Sequence, residues 1–516
     1  MGVDIDEAGR ECEAIGFYNM RCAEAERWSD CVNAIAAQSD IQQFGGSAAS
    51  VEDVRISDQS IAASHGQCSD IAYIHCASRR SARGADDQGD LLSDKILTRT
   101  MAETIAPWNK GLGWLREPVD ATEAGKLGWN LLREDLSLPS AVLYEDRLLH
   151  NLRWMQDFVT EYGVNLAPHG KTTMAPKLFQ MQLQGGAWGI TLATAHQSMI
   201  AYQHGVRRVL MANQLVGKEN MAIVSRLIAD AEFDYYCLVD SAAAADLLGA
   251  FFAARGQRLN VLLELGIAGG RSGIRDEAQL QEVMAALEKW QDSLALSGIE
   301  IYEGVLDDEG AIREFLLRAV DVTRKLLDEG RFARTPALLS GAGSAWYDVV
   351  AEVFTGANLG DRVEIVLRPG CYLTHDVGAY REAQAKIVQR NPIAHRMRSA
   401  LQPALQVWAY VQSIPEAQRT IIGMGKRDAA FDAGLPTPAL HFHPGNAAPA
   451  AAPAHWSLTK MMDQHAYLRI HANDDLRVGD MIGFDISHPC LTFDKWRMLP
   501  VLNAQYDVVD LVQTYF

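Results

Sequence analysis

Lys171 ends the segment VNLAPHGK (164–171), an apolar run that turns polar only at its close. A lysine at the end of an apolar strand is partly desolvated, which lowers its pKa and frees a neutral amine for a Schiff base. The alternative is a lysine that merely ends a strand in water, as most lysines do. A second segment, SGAGS (340–344), places small residues at a strand-to-helix junction. Bare backbone N–H groups there face an anion, and a following helix N-terminus adds its dipole. Ser340 and Ser344 add hydroxyl donors, and Gly370 and Tyr372 on the next strand can close the same cup. A tight turn that needs glycine is the alternative. A third feature is His488-Pro489-Cys490, after an apolar strand. Side chains two apart on an extended chain point the same way, so His488 and Cys490 can grip one ion. A thiolate with an imidazole favours zinc. Two protein ligands leave positions open for water or substrate, and a chance turn is the alternative. His441 and His443 form another such pair beside a low-complexity loop. His465, in MMDQHAY, is a ligand, a proton-transfer group or core.

The elements that position these residues alternate regularly from about Ser137. SAVLYE (140–145) reads as a short leading strand, and Leu148, Leu149, Leu152, Met155 and Val159 then recur at helical spacing. Strands are predicted at 164–171, 189–193, 208–214, 234–240, 260–265, 299–304, 337–343 and 363–370, with helical patterns between them. One such helix runs through Ile312, Phe315, Leu316, Ala319 and Thr323. Strands this apolar, each followed by a helix, indicate a parallel sheet covered on its outer face. Eight units predict an α/β chain with a closed (β/α)8 TIM barrel, whose function gathers where the strands end. Those ends carry Lys171, Asn213-Gln214, Asp240-Ser241, Arg271, Tyr302, SGAGS and RPGCY (368–372). In a closed barrel the eighth and first strands are neighbours, which sets the anion cup beside Lys171. A doubly wound open sheet is the alternative.

After Gly370, segments 405–412, 419–425, 480–486 and 506–513 look like strands without long helices between them, so residues 371–516 form a mostly β domain carrying His488 and Cys490. Residues 105–370 form the barrel with its leading strand. Residues 1–104 are an extension rich in Ser, Ala, Gly, Asp and Cys, with a flexible tract at 78–90. That extension is either an appendage of unknown role or a misassigned start ahead of Met101.

The chain has 516 residues and a formal net charge of −18, so nucleic acid and anionic membranes are poor partners. Its composition, 48% hydrophobic and 22% charged, is that of a globular protein. No apolar run approaches a membrane span, and the first residues lack the order of a signal peptide. A cytoplasmic location is the default expectation. Of the eight cysteines, Cys12, Cys22, Cys31, Cys68 and Cys76 lie in the extension and no CxxC pair occurs, so thiols or one metal ligand are expected rather than disulfides.

PHGKT (168–172), ELGIAGGRSG (264–273), YEG (302–304), SGAGS (340–344), RPGCYLTHD (368–376) and HPC (488–490) stand in the order seen in fold-type III pyridoxal-phosphate (PLP) enzymes. Over roughly residues 105–516 the chain resembles the D-serine dehydratase and D-threonine aldolase group, including bacterial amino-acid deaminases. The resemblance implies an alanine-racemase-like barrel with PLP on Lys171 and a C-terminal β domain with the metal, usually in a homodimer. It assigns phosphate binding to Ser340, Gly341, Gly343, Gly370 and Cys371 or Tyr372. It places Arg271 and Tyr302 near the cofactor ring and His169 beside the lysine. Catalytic roles fall on Lys171, His169 and Tyr302. Cys490 in the His-x-Cys pair resembles the dehydratase subgroup and implies zinc. The segment after YEG, VLDDEG (305–310), lacks the histidine common there, which leaves the substrate side chain open. The implied reaction is β-elimination from a D-β-hydroxy amino acid such as D-serine, giving a keto acid and ammonia. The alternatives are retro-aldol cleavage to glycine and an aldehyde, and a non-catalytic PLP carrier.

Overall fold

The computed structural model describes residues 104–516. The expectations for the N-terminal extension and its five cysteines lie outside the described residues. Of the described cysteines, Cys237, Cys371 and Cys490 are free thiols.

Eight parallel strands form the first sheet: Asn165–Leu166, Ile190–Leu192, Arg208–Gln214, Asp234–Val239, Leu259–Leu265, Leu294–Ile301, Ala337–Gly341 and Val363–Leu367. Each neighbours the next in sequence, and Val363–Leu367 pairs with Asn165–Leu166. The ring closes through a parallel bridge between His169 and Thr191, where the Thr191 N–H donates to the Pro168 carbonyl at 2.8 Å. This is the expected (β/α)8 barrel. Alternate residues of the strands face inward and outward, and both sides are apolar. Leu210, Leu238, Leu262, Leu338 and Val366 fill the interior. Val209, Val261, Leu263 and Leu339 face the outer helices and join the larger core.

The helices follow from apolar spacing and caps. Glu309–Asp328 buries Ile312, Phe315, Leu316, Ala319 and Thr323, the predicted stripe. Thr194, Ser241, Asp276 and Asp308 each accept a backbone N–H from the first turn of their helix. Each such cap is worth about 1 kcal/mol. Ser241, polar at a strand's end, therefore serves helix Ala242–Ala253.

Four elements depart from expectation. Ser140–Tyr144 does not lead into the barrel; it pairs antiparallel with Leu405–Glu416 and parallel with Met498–Leu502 in the second sheet. All five of its residues are buried, and an apolar run does not reveal which sheet takes it. Helices Ala379–Arg390 and Pro392–Arg396 stand between Gly370 and the second sheet. The longer one buries only Gln384 and Ile387, so apolar periodicity is missing from its sequence. Cys490–Phe493 is a short helix, and Pro489 is already helical, so His488 and Cys490 are not on extended chain.

The second sheet is built around Leu405–Glu416, which pairs with Met481–Asp485, Arg419–Ile422 and Ser140–Tyr144. Its core holds Trp408, Phe484, Phe493 and Trp496, all buried. Among the described residues no helix is long and apolar enough to cross a membrane.

Candidate active site

Lys171 lies in a tight turn, Gly170–Thr172, directly after the closing bridge of the barrel. Two glycines set it. A Cβ on Gly170 would stand 2.7 Å from the ring of Phe179 and 2.9 Å from Ile190. A Cβ on Gly370 would meet the His169 carbonyl at 2.7 Å and the Thr172 hydroxyl at 2.8 Å. Only glycine lets the loop after the eighth strand close on the lysine turn.

A cavity of about 270 Å³ opens at this mouth. His169, Lys171, Arg271 and Tyr302 face it from the barrel, and Gly343, Ser344, Gly370 and Cys371 from the two loops. His488 and Cys490 reach it from the segment after strand Met481–Asp485 of the second sheet. Seven expected site residues of the barrel and both expected metal ligands thus share one space. Ser340, Gly341 and Tyr372 do not reach it. The Ser340 hydroxyl donates to the Val366 carbonyl at 3.0 Å inside the sheet, and the Tyr372 hydroxyl accepts from Gln182 at 3.1 Å in the core. Gly341 is packed against Ile301 and Val350.

The Lys171 side chain is exposed to the cavity, yet protein groups surround it and displace water. Burial lowers its pKa, and Arg271 adds to the effect against the opposing pull of Cys490. His169 is held well below the usual imidazole range by burial, then by Lys171 and Arg368, so the ring is neutral. Its buried Nδ1 has no hydrogen-bond partner. The Arg271 guanidinium stands 4.8 Å over the Tyr302 ring, and burial raises the Tyr302 hydroxyl.

Beneath them lies a buried ion pair. Arg368 donates to Glu300 and, at 2.8 Å, to the Ile301 carbonyl. Burial outweighs Arg368 and lifts Glu300 to about 7. The Arg368 Nε and the second Glu300 oxygen have no protein partner. Glu303 is also buried and takes up two donors of the glycine-rich loop, the N–H groups of Ala342 at 3.1 Å and Gly343 at 2.6 Å. The cup is therefore smaller than SGAGS suggested. What remains is centred on Ser344, whose Oγ accepts from the N–H groups of Gly370 at 3.3 Å and Cys371 at 3.2 Å. Two N–H groups converging on one oxygen suit an anion. An amine of lowered pKa, this cup and an unpartnered imidazole nitrogen fit a phosphorylated aldehyde held on Lys171.

The second half of the site is a thiol–imidazole pair. Cys490 Sγ lies 4.0 Å from Cys371 Sγ and 3.6 Å from the Thr172 hydroxyl. Hydrogen bonds from Cys371, His488 and Thr172 draw the Cys490 thiol down against its burial, while Cys371 is pushed up. Cys490 is the thiolate of the pair. The His488 imidazole is raised to about 9 by its bond to Cys490 and, less, by Asp432. His488 Nδ1 sits 2.7 Å from the Asp432 carboxylate. A thiolate, an imidazole and an orienting carboxylate suit a zinc ion.

Two family descriptions match the chain: "Alanine racemase, N-terminal domain" over residues 144–359 and "Putative serine dehydratase domain" over residues 404–502. D-threonine aldolase of Arthrobacter sp. is 24% identical over 340 residues, covering 64% of this chain and 80% of the relative. D-threo-3-hydroxyaspartate dehydratase of Delftia sp. strain HT23 is 30% identical over 139 residues, 27% of this chain and 36% of the relative. The solved structure of that dehydratase superposes with a TM-score of 0.60 at 22% identity, covering 75% of this chain and 99% of it. D-threonine aldolase from Filomicrobium marinum gives 0.61 at 22%, covering 75% and 97%. The chain has the fold of the fold-type III PLP enzymes.

In and around this site, sequence reasoning missed Glu300, Glu303, Tyr380 and Asp432. Glu303 was in plain view inside YEG but reads as a polar strand end. Tyr380, hydrogen-bonded to Cys371, stands on the helix that apolar spacing did not reveal. Asp432 is 56 residues from His488, and no local pattern joins them.

Proposed function

We propose that the chain is a PLP- and zinc-dependent lyase that removes water from a D-β-hydroxy amino acid such as D-serine. Loss of the Cα proton and the β-hydroxyl leaves an enamino acid, which water converts to a keto acid and ammonia. The observation that carries this reading is the meeting of Lys171 with His488 and Cys490 in one cavity. Its relatives include an aldolase and a dehydratase, both acting on D-amino acids by name.

Lys171 would hold PLP, with Ser344, Gly370 and Cys371 at the phosphate and Arg271 and Tyr302 toward the ring. When bound, PLP acidifies the Cα–H and holds the electrons left behind. Lys171, its pKa lowered by burial, is placed to take the Cα proton. Neutral His169 backs the lysine turn and adds no charge beside the amine. His488 and Cys490 would hold zinc, which supplies Lewis acidity toward the β-hydroxyl, a poor leaving group on its own. Solved structures of D-threo-3-hydroxyaspartate dehydratase include a histidine-to-alanine and a cysteine-to-alanine mutant two positions apart, the latter in a metal-free form. That spacing is the spacing of His488 and Cys490, which supports placing the metal here.

Retro-aldol cleavage is the second reading, favoured by the aldolase's match over 80% of its length. There the proton lost is that of the β-hydroxyl, and the products are glycine and an aldehyde. A PLP carrier without catalysis leaves the second domain's thiolate and imidazole in the cavity without a role. We also propose a homodimer, to be checked by light scattering after gel filtration. The deciding experiment assays ammonia with keto acid against glycine with aldehyde, using D- and L-serine, threonine and 3-hydroxyaspartate, with zinc and with a chelator. Zinc-dependent ammonia release from a D-substrate is expected. Glycine with no ammonia would transfer the assignment to the aldolase.

A further inference from the structure

We propose that His441, His443 and Asp480 form a second zinc site, apart from the catalytic cavity. The register of the second sheet assembles it. His441 lies on strand Thr437–Phe442 and His443 directly follows that strand. Phe442 pairs with Met481 and His441 with Ile482, so Asp480, just ahead of Met481, comes level with the two imidazoles. His441 Nε2 is 3.0 Å from one Asp480 oxygen and His443 Nδ1 is 2.7 Å from the other. One ligand atom from each residue lies within 4.8 Å of the other two. None of the three lines the catalytic cavity.

Charge and geometry favour a cation there over hydrogen bonds alone. The Asp480 side chain is 4% exposed, and among the described residues no lysine or arginine pairs with it. Arg477 offers it only a backbone N–H, at 2.8 Å, and directs its guanidinium to Asp475. A buried carboxylate needs compensating charge. His443 is also caught between two acids, with Nδ1 on Asp480 and Nε2 3.4 Å from Asp475. A ring so placed can turn one nitrogen to a metal while a carboxylate holds the other, the usual setting of a metal-bound histidine. Two imidazoles and a carboxylate at these positions suit zinc, with water as a fourth ligand. The Trp456 ring, 5.1 Å from His441, covers one side. The neighbouring trio His455, His471 and Asp474 is different: one Asp474 oxygen already takes His455, the Trp456 indole and the His471 N–H.

The ion would pin the end of the strand pair to residues 443–456, a role in stability rather than turnover. The test is the zinc content of the full-length, PLP-loaded protein after equilibrium dialysis against zinc alone, measured by plasma emission. His443→Gln keeps a hydrogen-bond donor for Asp480 but is a poor ligand, and Cys490→Ser removes a ligand of the catalytic pair. About two zinc ions per chain are expected in the parent, about one in each single variant and none in the double. H443Q should keep its turnover. Zinc should raise the melting temperature of C490S but not of C490S/H443Q. Equal zinc in H443Q and the parent, or no zinc in C490S, would overturn the second site. Parent-level zinc in C490S that H443Q removes would instead sink the catalytic metal and leave this site standing.

Discussion

The Nδ1 of His488 is 2.7 Å from an Asp432 carboxylate oxygen, so the other ring nitrogen is turned away from Asp432 and left for a metal. The carboxylate fixes the tautomer and aims the ring. Carboxylates in this position typically change metal affinity by about 10- to 100-fold when removed. Asp432→Asn should weaken zinc binding by about that factor in a competition titration with a chromophoric chelator. An unchanged affinity would mean that Asp432 does not orient the ring.

Lys171 combines three roles that one substitution removes together. It is the amine of the cavity, its pKa is lowered by burial, and it is placed to move the Cα proton. Lys171→Ala should abolish the visible absorption of the lysine-bound cofactor and lower turnover by at least about 10²- to 10⁴-fold. Absorption spectra and a keto-acid assay check this together. Full turnover in K171A would refute the site.

Ser344 and Ser340 frame the same glycine-rich loop but do opposite things. The Ser344 Oγ stands where two backbone N–H groups meet at the cavity, whereas the Ser340 hydroxyl is used within the sheet. Losing one hydrogen bond to a charged group costs roughly 1.5–3 kcal/mol, more than tenfold in affinity. Ser344→Ala should raise the Kd for PLP at least tenfold by fluorescence titration. Ser340→Ala should leave it within a factor of about two and cost stability instead. Equal effects on cofactor affinity would contradict this division.

These two serines also mark what a sequence reveals. The barrel was legible because runs such as LNVLLEL, buried along nearly all its length, are hydrophobic on both faces and long enough to count. Lys171, Gly343, Gly370, His488 and Cys490 were legible because each sits at an element's end. Which serine hydroxyl faces the cavity depends on the strand's rotation, and SGAGS does not state it. The pairing of Arg368 with Glu300 spans 68 residues and needs the barrel's strand order. Ala379–Arg390 buries only Gln384 and Ile387, so the pattern that betrays other helices was absent.

Arg368 and Glu300 are both buried, and each side chain leaves one polar atom without a protein partner. Removing one partner of such a pair typically costs about 3–5 kcal/mol, because the other charge stays buried alone. Arg368→Met should lower the stability of the protein by that order in urea denaturation. Adding Glu300→Gln should recover part of the loss. Two losses that simply add would show that the pair is not coupled.

The pH dependence of zinc binding follows from who holds the proton. With no metal, Cys490 is drawn down to the thiolate and His488 is lifted to about 9, so the pair carries one proton, on the imidazole. Zinc must displace that proton. Below pH 9 the imidazolium dominates, and each unit of acidification should cost about tenfold in zinc affinity, since one proton competes with one ion. Above about 9 the affinity should level off. A plot of log affinity against pH therefore rises with unit slope from about 6 to about 9. In Asp432→Asn the imidazolium loses one of its two stabilising partners, so the break should move to lower pH. A flat profile between 6 and 8 would mean that the imidazole is already neutral, and a slope of two that both groups are protonated. Potentiometric titration of zinc uptake against proton release separates these outcomes directly.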